Sequence, residues 1–343
     1  ERIKFIMAYT TINKSTDYFN TKLYTGNGGT NAQTGVGFQP DFTWIKNRDG
    51  TRSHYLFDAV RGATKELNTN NTNDENTNAN GLQSFNSDGF TLGSEGEMNA
   101  NSSTFASWNW KAGTTGSGNT TGSGTYKTYS YSVNTTAGFS IVKYTGNGTT
   151  GQQIPHHLGA VPKMVIQKRL STDGAGWNTY NHTQGINYLE LNSTNAVASD
   201  TGKYNAVPTS TYVQIGNDGG MNSNDGQHIL YCFAEKTGYS KFGSYTGNGN
   251  ADGTFVYTGF APSFVLVKRI DGAHDWRLRD NKRPEYNLIN KTLYPNGNWA
   301  EGTGDVKDFL SNGFKFRTSG GSDNNSGSTF IYMAFGQSLV GSN

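Results

Sequence analysis

Five residues, Tyr-Thr-Gly-Asn-Gly, occur three times in this chain, starting at Tyr24, Tyr144 and Tyr245. The starts lie too far apart for a solenoid, whose repeats have about 20–50 residues. Their spacing is instead that of a small domain, commonly about 100–150 residues. The sequence therefore predicts three copies of one domain, and a repeated surface domain is more typical of multivalent binding than of catalysis.

A proline, an apolar run and a lysine follow each Tyr-Thr-Gly-Asn-Gly in the same order. The prolines and lysines, always six residues apart, are Pro40 and Lys46, Pro162 and Lys168, and Pro262 and Lys268. Because proline cannot donate a hydrogen bond inside a sheet, it marks the first residue of a strand. The run is almost continuously apolar, which predicts a strand buried on both faces in the middle of a sandwich.

Short strands and turns account for the rest of each copy. An aromatic strand follows the lysine, and another apolar strand closes the copy. Asp-Gly and Asn-Gly turns precede Phe90 and Phe314, whereas the second copy has a strand with a different turn. The best helix candidate, residues 58–67, is weakened by Gly62. The sequence thus predicts an all-β chain of three tandem β-sandwich (jelly-roll) domains.

The Gly/Ser/Thr-rich stretch 114–137 separates the first copy from the other two and predicts a flexible linker. The predicted sandwiches span residues 22–113, 138–238 and 239–343, and they are called copies one, two and three below. This arrangement would present three tethered domains.

An N-terminal segment, residues 1–21, precedes the first predicted sandwich. We expect the natural chain to start at Met7, because the six residues before it are too few for a signal peptide. The polar residues 7–21 are either an anchor to a larger assembly or a flexible end.

Composition excludes several classes of function. The formal net charge is only +2 and the basic residues are scattered, which argues against a nucleic-acid partner. No run of 18 apolar residues exists, so no membrane insertion is expected. The single cysteine, Cys232, is expected to be a small buried apolar residue. A chain without disulfides suits assembly in a reducing cytoplasm.

Metal and catalytic motifs are weak, and neither a cofactor nor a metal is expected. Residues 216–226 are rich in the oxygen ligands that calcium prefers, but they lack the EF-hand spacing and are better explained as turns. Copy two holds His156, His157, His182 and His228, which could converge. Because the other copies lack His156 and His157, a catalytic role is disfavoured.

Acidic residues are sparse. A glycan depolymerase would need two carboxylates about 5–10 Å apart. The only local acidic cluster that suits this role is Asp275, Asp280 and Glu285. We therefore expect no enzyme activity and keep a depolymerase as a minor alternative.

Aromatic side chains beside amides are the strongest candidates for ligand binding, because a ring can stack on a sugar while amides bond its hydroxyls. The predicted ligand-binding residues are Trp177, Trp276, Trp299, Asn296 and Asn298. Trp299, in a polar Asn-Gly-Asn loop, is expected to be the most exposed. The tryptophans Trp44, Trp108 and Trp110 lie in predicted strands, where core packing is favoured. Tyr-Thr-Gly-Asn-Gly itself is interpreted as a turn whose glycines need unusual backbone angles.

Several stretches of copy one resemble a family of marine bacteriophage virion proteins found in cyanophage-like tailed phages. They are residues 7–14, 22–28, 35–46, 54–65, 85–93 and 108–113. Members are often described as tail-fibre or structural proteins, and their domains look like concanavalin A-like jelly rolls. The match is dense over copy one and thinner over copies two and three. Copy two lacks the Asp/Asn-Gly-Phe turn, so a site on that turn does not extend to it.

The resemblance implies a non-enzymatic virion protein, assembled in the host cytoplasm. As a tail-fibre or receptor-binding component, it would contact host-surface glycans, and three linked weak sites would raise avidity. Its partners would be other virion proteins and a host glycan or receptor. A homo-oligomer is expected, and a trimer by analogy with fibres. The alternative is a capsid decoration or head-fibre protein that binds other virion proteins.

Overall fold

The computed structural model describes residues 9–284 and 286–339. The strands of copy one are β1 (Phe19–Thr25), β2 (Asn31–Gln33), β3 (Phe42–Asn47), β4 (His54–Asp58), β5 (Lys65–Asn68), β6 (Asn76–Thr77), β7 (Leu82–Asn86), β8 (Gly89–Leu92) and β9 (Thr104–Trp110). Those of copy two, which begin within the predicted linker, are β10 (Thr114–Asn119), β11 (Thr121–Gly122), β12 (Thr128–Asn134), β13 (Phe139–Thr145), β14 (Gln152–Pro155), β15 (Met164–Arg169), β16 (Asn178–Asn181), β17 (Tyr188–Glu190), β18 (Tyr212–Ile215) and β19 (Gln227–Phe233). Those of copy three are β20 (Ser240–Thr246), β21 (Phe255–Tyr257), β22 (Ala261–Arg269), β23 (Arg277–Asp280), β24 (Ile289–Thr292), β25 (Gly302–Leu310), β26 (Gly313–Phe316) and β27 (Thr329–Gln337).

Helical elements are short. They are α1 (Gly96–Asn99), α2 (Gly219–Asn222) and single 3-10 turns at Ser15–Asp17 and His182–Gln184. The prediction of an all-β chain is confirmed. Met7, the predicted start, lies outside the described residues.

Each copy contributes two antiparallel sheets, called here its inner and outer sheets. The inner sheets have the strand orders β1-β9-β3-β4-β5-β6, β10-β12-β13-β19-β15-β16-β17 and β20-β27-β22-β23. The outer sheets have the orders β2-β8-β7, β11-β14-β18 and β21-β26-β25-β24. The three inner sheets share one pairing pattern. In each sheet the last strand of the copy (β9, β19 or β27) lies between two others. One neighbour is the strand that ends in Tyr-Thr, and the other is the apolar strand after the proline. The apolar strand is therefore central in its sheet, as its composition predicted.

One face of each inner sheet packs against the outer sheet of the same copy. In copy one, the ring of Tyr24 stacks on Phe105 and lies edge-on to Phe90 of the outer sheet. In copy three, Tyr245 stacks on Phe330 at 4.9 Å between ring centroids and packs against Phe316 of the outer sheet. Each copy is thus β-sandwich-like, with a core between its two sheets.

The opposite faces of the three inner sheets pack against one another in a single shared core. At its centre are Trp110, Phe233 and Phe335, which occupy the same position in the closing strands of the three copies. Their ring centroids are 5.6, 6.1 and 6.3 Å apart, so the three rings form a triangle. The copies therefore surround a common axis with approximate three-fold symmetry, and each inner sheet buries both faces. We call this axis and its aromatic residues the central core.

Backbone hydrogen bonds link the copies in a ring. A loop of copy one donates from Glu75 N to Leu170 O of copy two at 2.9 Å. The equivalent loops donate from Val197 N to Ile270 O at 2.9 Å and from Glu301 N to Arg48 O at 2.8 Å. In the last junction Arg48 also binds Glu301 through two nitrogen–oxygen contacts of 3.0 and 3.1 Å. Each copy thus holds the next, and the third holds the first.

The repeated lysines lie at these junctions. Lys168 Nζ donates to Arg169 O at 2.9 Å and to Thr72 O of copy one at 3.4 Å, and Lys268 Nζ donates to Thr194 O of copy two at 3.1 Å. Lys46 Nζ donates to its neighbour Asn47 O at 2.6 Å. Burial lowers the pKa of all three ammonium groups to about 8. The constant spacing between proline and lysine therefore has a structural cause. Each lysine ammonium group donates hydrogen bonds to backbone carbonyls at the edge of the central core.

The prediction of a flexible linker at 114–137 is wrong. Strand β10 pairs with β12 on the edge of the inner sheet of copy two, and β11 pairs with β14. A Cβ on Gly116 would lie 2.5 Å from Tyr131 Oη, and one on Gly118 would lie 2.7 Å from Tyr129 Oη. These glycines are present because the edge strand lies directly across two tyrosine rings, and not because the chain needs a tether.

The described part of the N-terminal segment also departs from the prediction. Ile12 is buried in the central core, Ser15 N donates to Gln337 Oε1 at 2.6 Å, and Tyr9 Oη donates to Gly259 O at 3.1 Å. Residues 9–18 therefore pack against copy three instead of standing free ahead of copy one. An anchoring role for the segment stays a prediction.

Because the three copies share one core, we expect a single cooperative unfolding transition in differential scanning calorimetry. Replacing Phe335 by alanine should lower the free energy of unfolding of the whole molecule by about 3–5 kcal/mol, as for other buried phenylalanines. Three separate transitions, of which only one moves in F335A, would show that the copies are independent domains.

Buried histidines should make the fold sensitive to acid. Burial lowers the pKa of His156 to about 4 and that of His228 to about 3, and the pKa of His54 lies well below its ordinary value. Since the unfolded chain binds these protons from about pH 6.5 downwards, the free energy of unfolding should fall between pH 7 and 4. Asp41, whose pKa burial raises to about 6, and Glu66, whose pKa burial also raises, oppose this trend.

The variant His228→Phe tests this acid sensitivity. Phenylalanine should fit at position 228, because Phe105 and Phe330 occupy the equivalent positions in the other copies. Urea unfolding at pH 7 and pH 4 should show a loss smaller in this variant by on the order of 2–3 kcal/mol. An equal loss in both proteins would mean that His228 is not held neutral in the fold.

Candidate functional site

The Tyr-Thr-Gly-Asn-Gly motif joins the first strand of each copy to the segment before its last strand. In copy one, Tyr24 Oη donates to Met98 O at 2.8 Å, and the Asn99 side chain accepts from Asn27 N at 3.1 Å. A Cβ on Gly26 would lie 2.1 Å from Ala100 O, and Gly28 has a φ of 70°. The turn interpretation is confirmed for Gly28, whereas Gly26 is needed for close backbone approach.

The other copies repeat this connection. The tyrosines Tyr144 and Tyr245 donate to Met221 O and Asp323 O, and the asparagines Asn222 and Asn324 accept from the backbone of Asn147 and Asn248. Sequence reasoning missed these partner asparagines, although each lies in a comparable place before the last strand. The motif is structural and leaves little of itself free for a ligand.

Two of the predicted ligand-binding tryptophans are buried, so their predicted stacking on a ligand is wrong. Trp177 Nε1 donates to Asn68 O of copy one at 2.8 Å, and Trp276 Nε1 donates to Glu190 O of copy two at 2.9 Å. The Asn296 side chain accepts from Trp276 N at 2.8 Å and donates to Asp275. The two tryptophans hold neighbouring copies together, because their indole groups satisfy carbonyls at the ends of β5 and β17 across the junction.

Trp299 remains accessible, with 49% of its surface exposed. Its ring lies edge-on to Tyr294 at 5.5 Å between centroids and covers Gly297, where a Cβ would lie 2.2 Å from the indole. The side chain of Asn298 is exposed, and its backbone oxygen accepts from Arg52 N of copy one at 2.8 Å. The predicted cluster is thus divided, with Trp299 and Asn298 on the surface and the other three members in structural roles.

One acid of the predicted cluster has a structural role. Asp280 is buried and accepts from Trp108 Nε1 of copy one at 3.0 Å and from Arg283 Nε at 2.7 Å. Asp275 accepts from Asn296 Nδ2 at 2.8 Å, and Glu285 lies outside the described residues. Burial of Asp280 removes it as a catalytic acid, and a pair of Asp275 with Glu285 stays a prediction.

The histidines of copy two have separate partners and do not form one site. His156 contacts Thr209 O at 3.1 Å, His182 contacts Phe242 O at 3.2 Å, and His228 lies 3.1 Å from Gln167. His157 stacks on Tyr131.

Residues 216–226 contain α2, whose N-cap is Asp218. Within the described ranges, no group of three or more His, Cys, Asp or Glu residues is arranged to hold a metal ion. Burial raises the pKa of Cys232, which is a free and buried thiol. The part of the chain that the structure describes also contains no helix of the length and apolarity that a bilayer crossing requires.

The strongest candidate site lies where copy three meets copy one. Two depressions at this junction have volumes of about 190 and 580 Å³, and a third of about 340 Å³ adjoins them on copy three. All three are lined by Asn281, and Lys282 or Tyr286 is shared between neighbours. Strand β1 of copy one forms one wall, and the turn after β23 of copy three forms the other. We call this continuous depression the seam groove.

Its polar wall is held in place from beneath. The buried carboxylate of Asp280 accepts from the backbone nitrogens of Lys282 and Arg283, both at 3.0 Å. This fixes the turn that presents Asn281 and Lys282, whose side chains are exposed. On the other wall, Asn20 Nδ2 donates to Val36 O at 2.9 Å, which orients that amide.

Several groups in the seam groove are available to a ligand. Asn281 and Lys282, both exposed, line it from copy three. Tyr286 is 80% exposed at the rim. A phenol ring, amides and the ammonium groups of Lys22 and Lys282 therefore surround one polar depression. This set can hold a polar ligand with one stacking face and several hydroxyl or anionic groups.

The groove exists because this junction differs from the other two. At the positions of Asn281 and Lys282, copy two has His182 and Thr183, and His182 Nε2 contacts Phe242 O of copy three directly. Sequence reasoning missed the site because its walls are about 260 residues apart in the chain. Its only local signal is the departure of Asn281 and Lys282 from the residues at the equivalent positions of the other copies.

A protein-family model described as a domain of unknown function (DUF7483) matches residues 14–338. The match runs through all three copies, which agrees with a unit built from the whole ring. No curated protein and no solved structure matches the chain detectably.

The different positions of the tryptophans can be tested by fluorescence. We expect Trp299→Phe to remove most of the emission that iodide can quench, because the other five tryptophans are buried. The comparison variant Trp177→Phe should keep that quenchable fraction but lower the free energy of unfolding by about 1–3 kcal/mol, since Asn68 O loses its donor. Loss of quenching in the Trp177 variant would contradict this placement.

Proposed function

Since the chain belongs to the family described as a domain of unknown function (DUF7483), we propose its function from the seam groove. The protein is a non-enzymatic phage virion component of a tail fibre or receptor-binding apparatus, and it binds a host-surface glycan in this groove. The observation that carries the proposal is the polar depression lined by Asn20, Thr21, Asn281 and Tyr286. The resemblance of copy one to phage virion proteins supports the setting.

Saccharide chemistry matches this lining. The exposed ring of Tyr286 offers an apolar face with a polar tip. Amide groups can donate and accept at once, as vicinal sugar hydroxyls require. A sugar satisfies both features in one ligand.

A second part of the proposal concerns the fold of each copy. We propose that each copy is a concanavalin A-like jelly-roll domain, supported by the pair of antiparallel sheets in each. The three copies are arranged around one axis, much as the subunits of a trimer would be. A homo-oligomer of such chains, which we take to be a trimer, would place several seam grooves on one fibre.

Avidity in this proposal comes from the number of chains. The repeated features of the copies, such as Trp177 and Trp276, are buried at junctions and cannot serve as three equivalent sites. One seam groove per chain then requires several chains per particle for strong attachment. The partners of the chain are accordingly other virion proteins as well as the glycan, and its location is the virion, assembled in the host cytoplasm.

Binding of the purified chain to an array of host-surface glycans tests the proposal. Asn281→Ala combined with Tyr286→Ser should weaken binding at least about tenfold, since each lost contact is worth about 1 kcal/mol. Alanine is tolerable at position 281 because copy one has Ala59 at the equivalent position. Asn101→Ala, which removes an exposed amide outside the groove, is the control and should bind like the native chain.

Two outcomes of the array experiment would contradict the proposal. If no host glycan binds, or if the double variant binds as tightly as the native chain, the seam groove is not a glycan site. Cryo-electron microscopy of the particle then decides the setting: density at the tail supports receptor binding, whereas density over the capsid lattice supports the decoration alternative.

A further inference from the structure

We propose that the glycan bound in the seam groove is anionic, and that its carboxylate, sulfate or phosphate group binds between Lys22 and Lys282. This inference rests on the proposed function and adds the class of ligand. It depends on the charges that face the groove and on the partners that those charges have or lack.

Two lysines approach the same depression from opposite walls. Lys22 extends from β1 of copy one, and Lys282 lies on the turn after β23 of copy three. Neither forms an ion pair within the described residues, whereas Lys315, elsewhere on the surface, pairs with Asp252 at 2.6 Å. The groove therefore holds two ammonium groups without an ion-pair partner among the described residues, although Asp88 attracts Lys22 electrostatically.

Two described carboxylates near these lysines already accept hydrogen bonds from other groups. Asp280, behind the turn, is paired with the buried guanidinium of Arg283 and accepts from Trp108. Asp88, near Lys22, accepts from Gly35 N at 2.9 Å and Gly37 N at 2.6 Å. These backbone donors lower the pKa of Asp88 and use its oxygens. An external anion can therefore complete the coordination of the two lysines.

The other groups of the groove point to a saccharide as the carrier of that anion. A bare phosphate would use the ammonium groups but leave the exposed ring of Tyr286 without a role. A sugar with an acidic substituent can place its ring against Tyr286 and its anion between the lysines. Charge-assisted hydrogen bonds to the anion would then supply much of the affinity.

The cations are particular to this junction. At the position of Lys22, copies two and three have Val142 and Gly243, counted from the tyrosine of the repeat. At the position of Lys282, copy two has Thr183. The scaffold therefore accepts uncharged residues at both places, and this supplies substitutions that the fold should tolerate.

The experiment measures binding of one oligosaccharide backbone in three forms: neutral, carboxylated and sulfated. We expect the anionic forms to bind at least about tenfold more tightly than the neutral form, which is the range of a charge-assisted hydrogen bond. Their affinity should fall as salt rises, while that of the neutral form should change little. The carboxylated and sulfated arms distinguish the two acidic groups.

Variants assign the effect to the two lysines. Lys282→Thr and Lys22→Gln should each remove most of the preference for the anionic form and keep binding of the neutral form. Lys163→Gln, which removes a lysine of copy two that forms no ion pair within the described part of the chain, should change neither. Thermal unfolding of each variant, expected to match the native chain, separates lost binding from lost folding.

Failure of the inference differs from failure of the proposed function. If neutral and anionic forms bind equally and the lysine variants do not matter, the inference is overturned while a glycan site remains. If no form binds at any salt concentration, both are overturned. An unchanged anionic preference in Lys22→Gln and Lys282→Thr would place the anion site elsewhere on the chain.

Discussion

The rest of this structure depends on burial of both faces of three inner sheets. One face of each sheet packs on its own outer sheet, and the other packs in the central core around Trp110, Phe233 and Phe335. A copy removed from the ring would expose an aromatic sheet face to water, which is costly at about 25 cal/mol for each Å² of apolar surface. The three copies are therefore one cooperative body, although they look like separate domains in the sequence.

Some residues differ between the copies in pairs, because a residue of one copy contacts a residue of the next copy in the ring. Asp58 and Asp280 occupy the same position, and each accepts from an aromatic donor of a neighbouring copy, Tyr231 and Trp108 respectively. In the remaining copy the acid is replaced by Asn181, and Met333 occupies the position of the donor. Copy two also has Gln184 where the other copies have Arg61 and Arg283, the buried partners of these acids. The acid and its arginine are thus absent together, because either charge alone would be strongly destabilising in this core.

The sequence predicted what local pattern controls and missed what distant copies bring together. The prolines and apolar runs located the central strands, and Gly28 was correctly assigned to a turn. The glycines of β10 and the indoles of Trp177 and Trp276 were misread, since their roles depend on a tyrosine ring or a carbonyl far along the chain. Both structures have the same composition, with small and aromatic residues among polar ones. Such a sequence can form a flexible tether with exposed sugar-binding rings, or it can form a tightly packed junction.

Symmetry explains where a site can form in such a body. Equivalent residues that recur in all copies, such as Lys168 and Lys268, are used for holding the ring together and face inwards. A surface that binds a ligand must instead come from residues that a single copy has changed. The seam groove meets this condition, because Asn281 and Lys282 stand where copy two has a direct contact to its neighbour through His182. The departure from the repeat, and not the repeat itself, is therefore the feature of this chain that points to function.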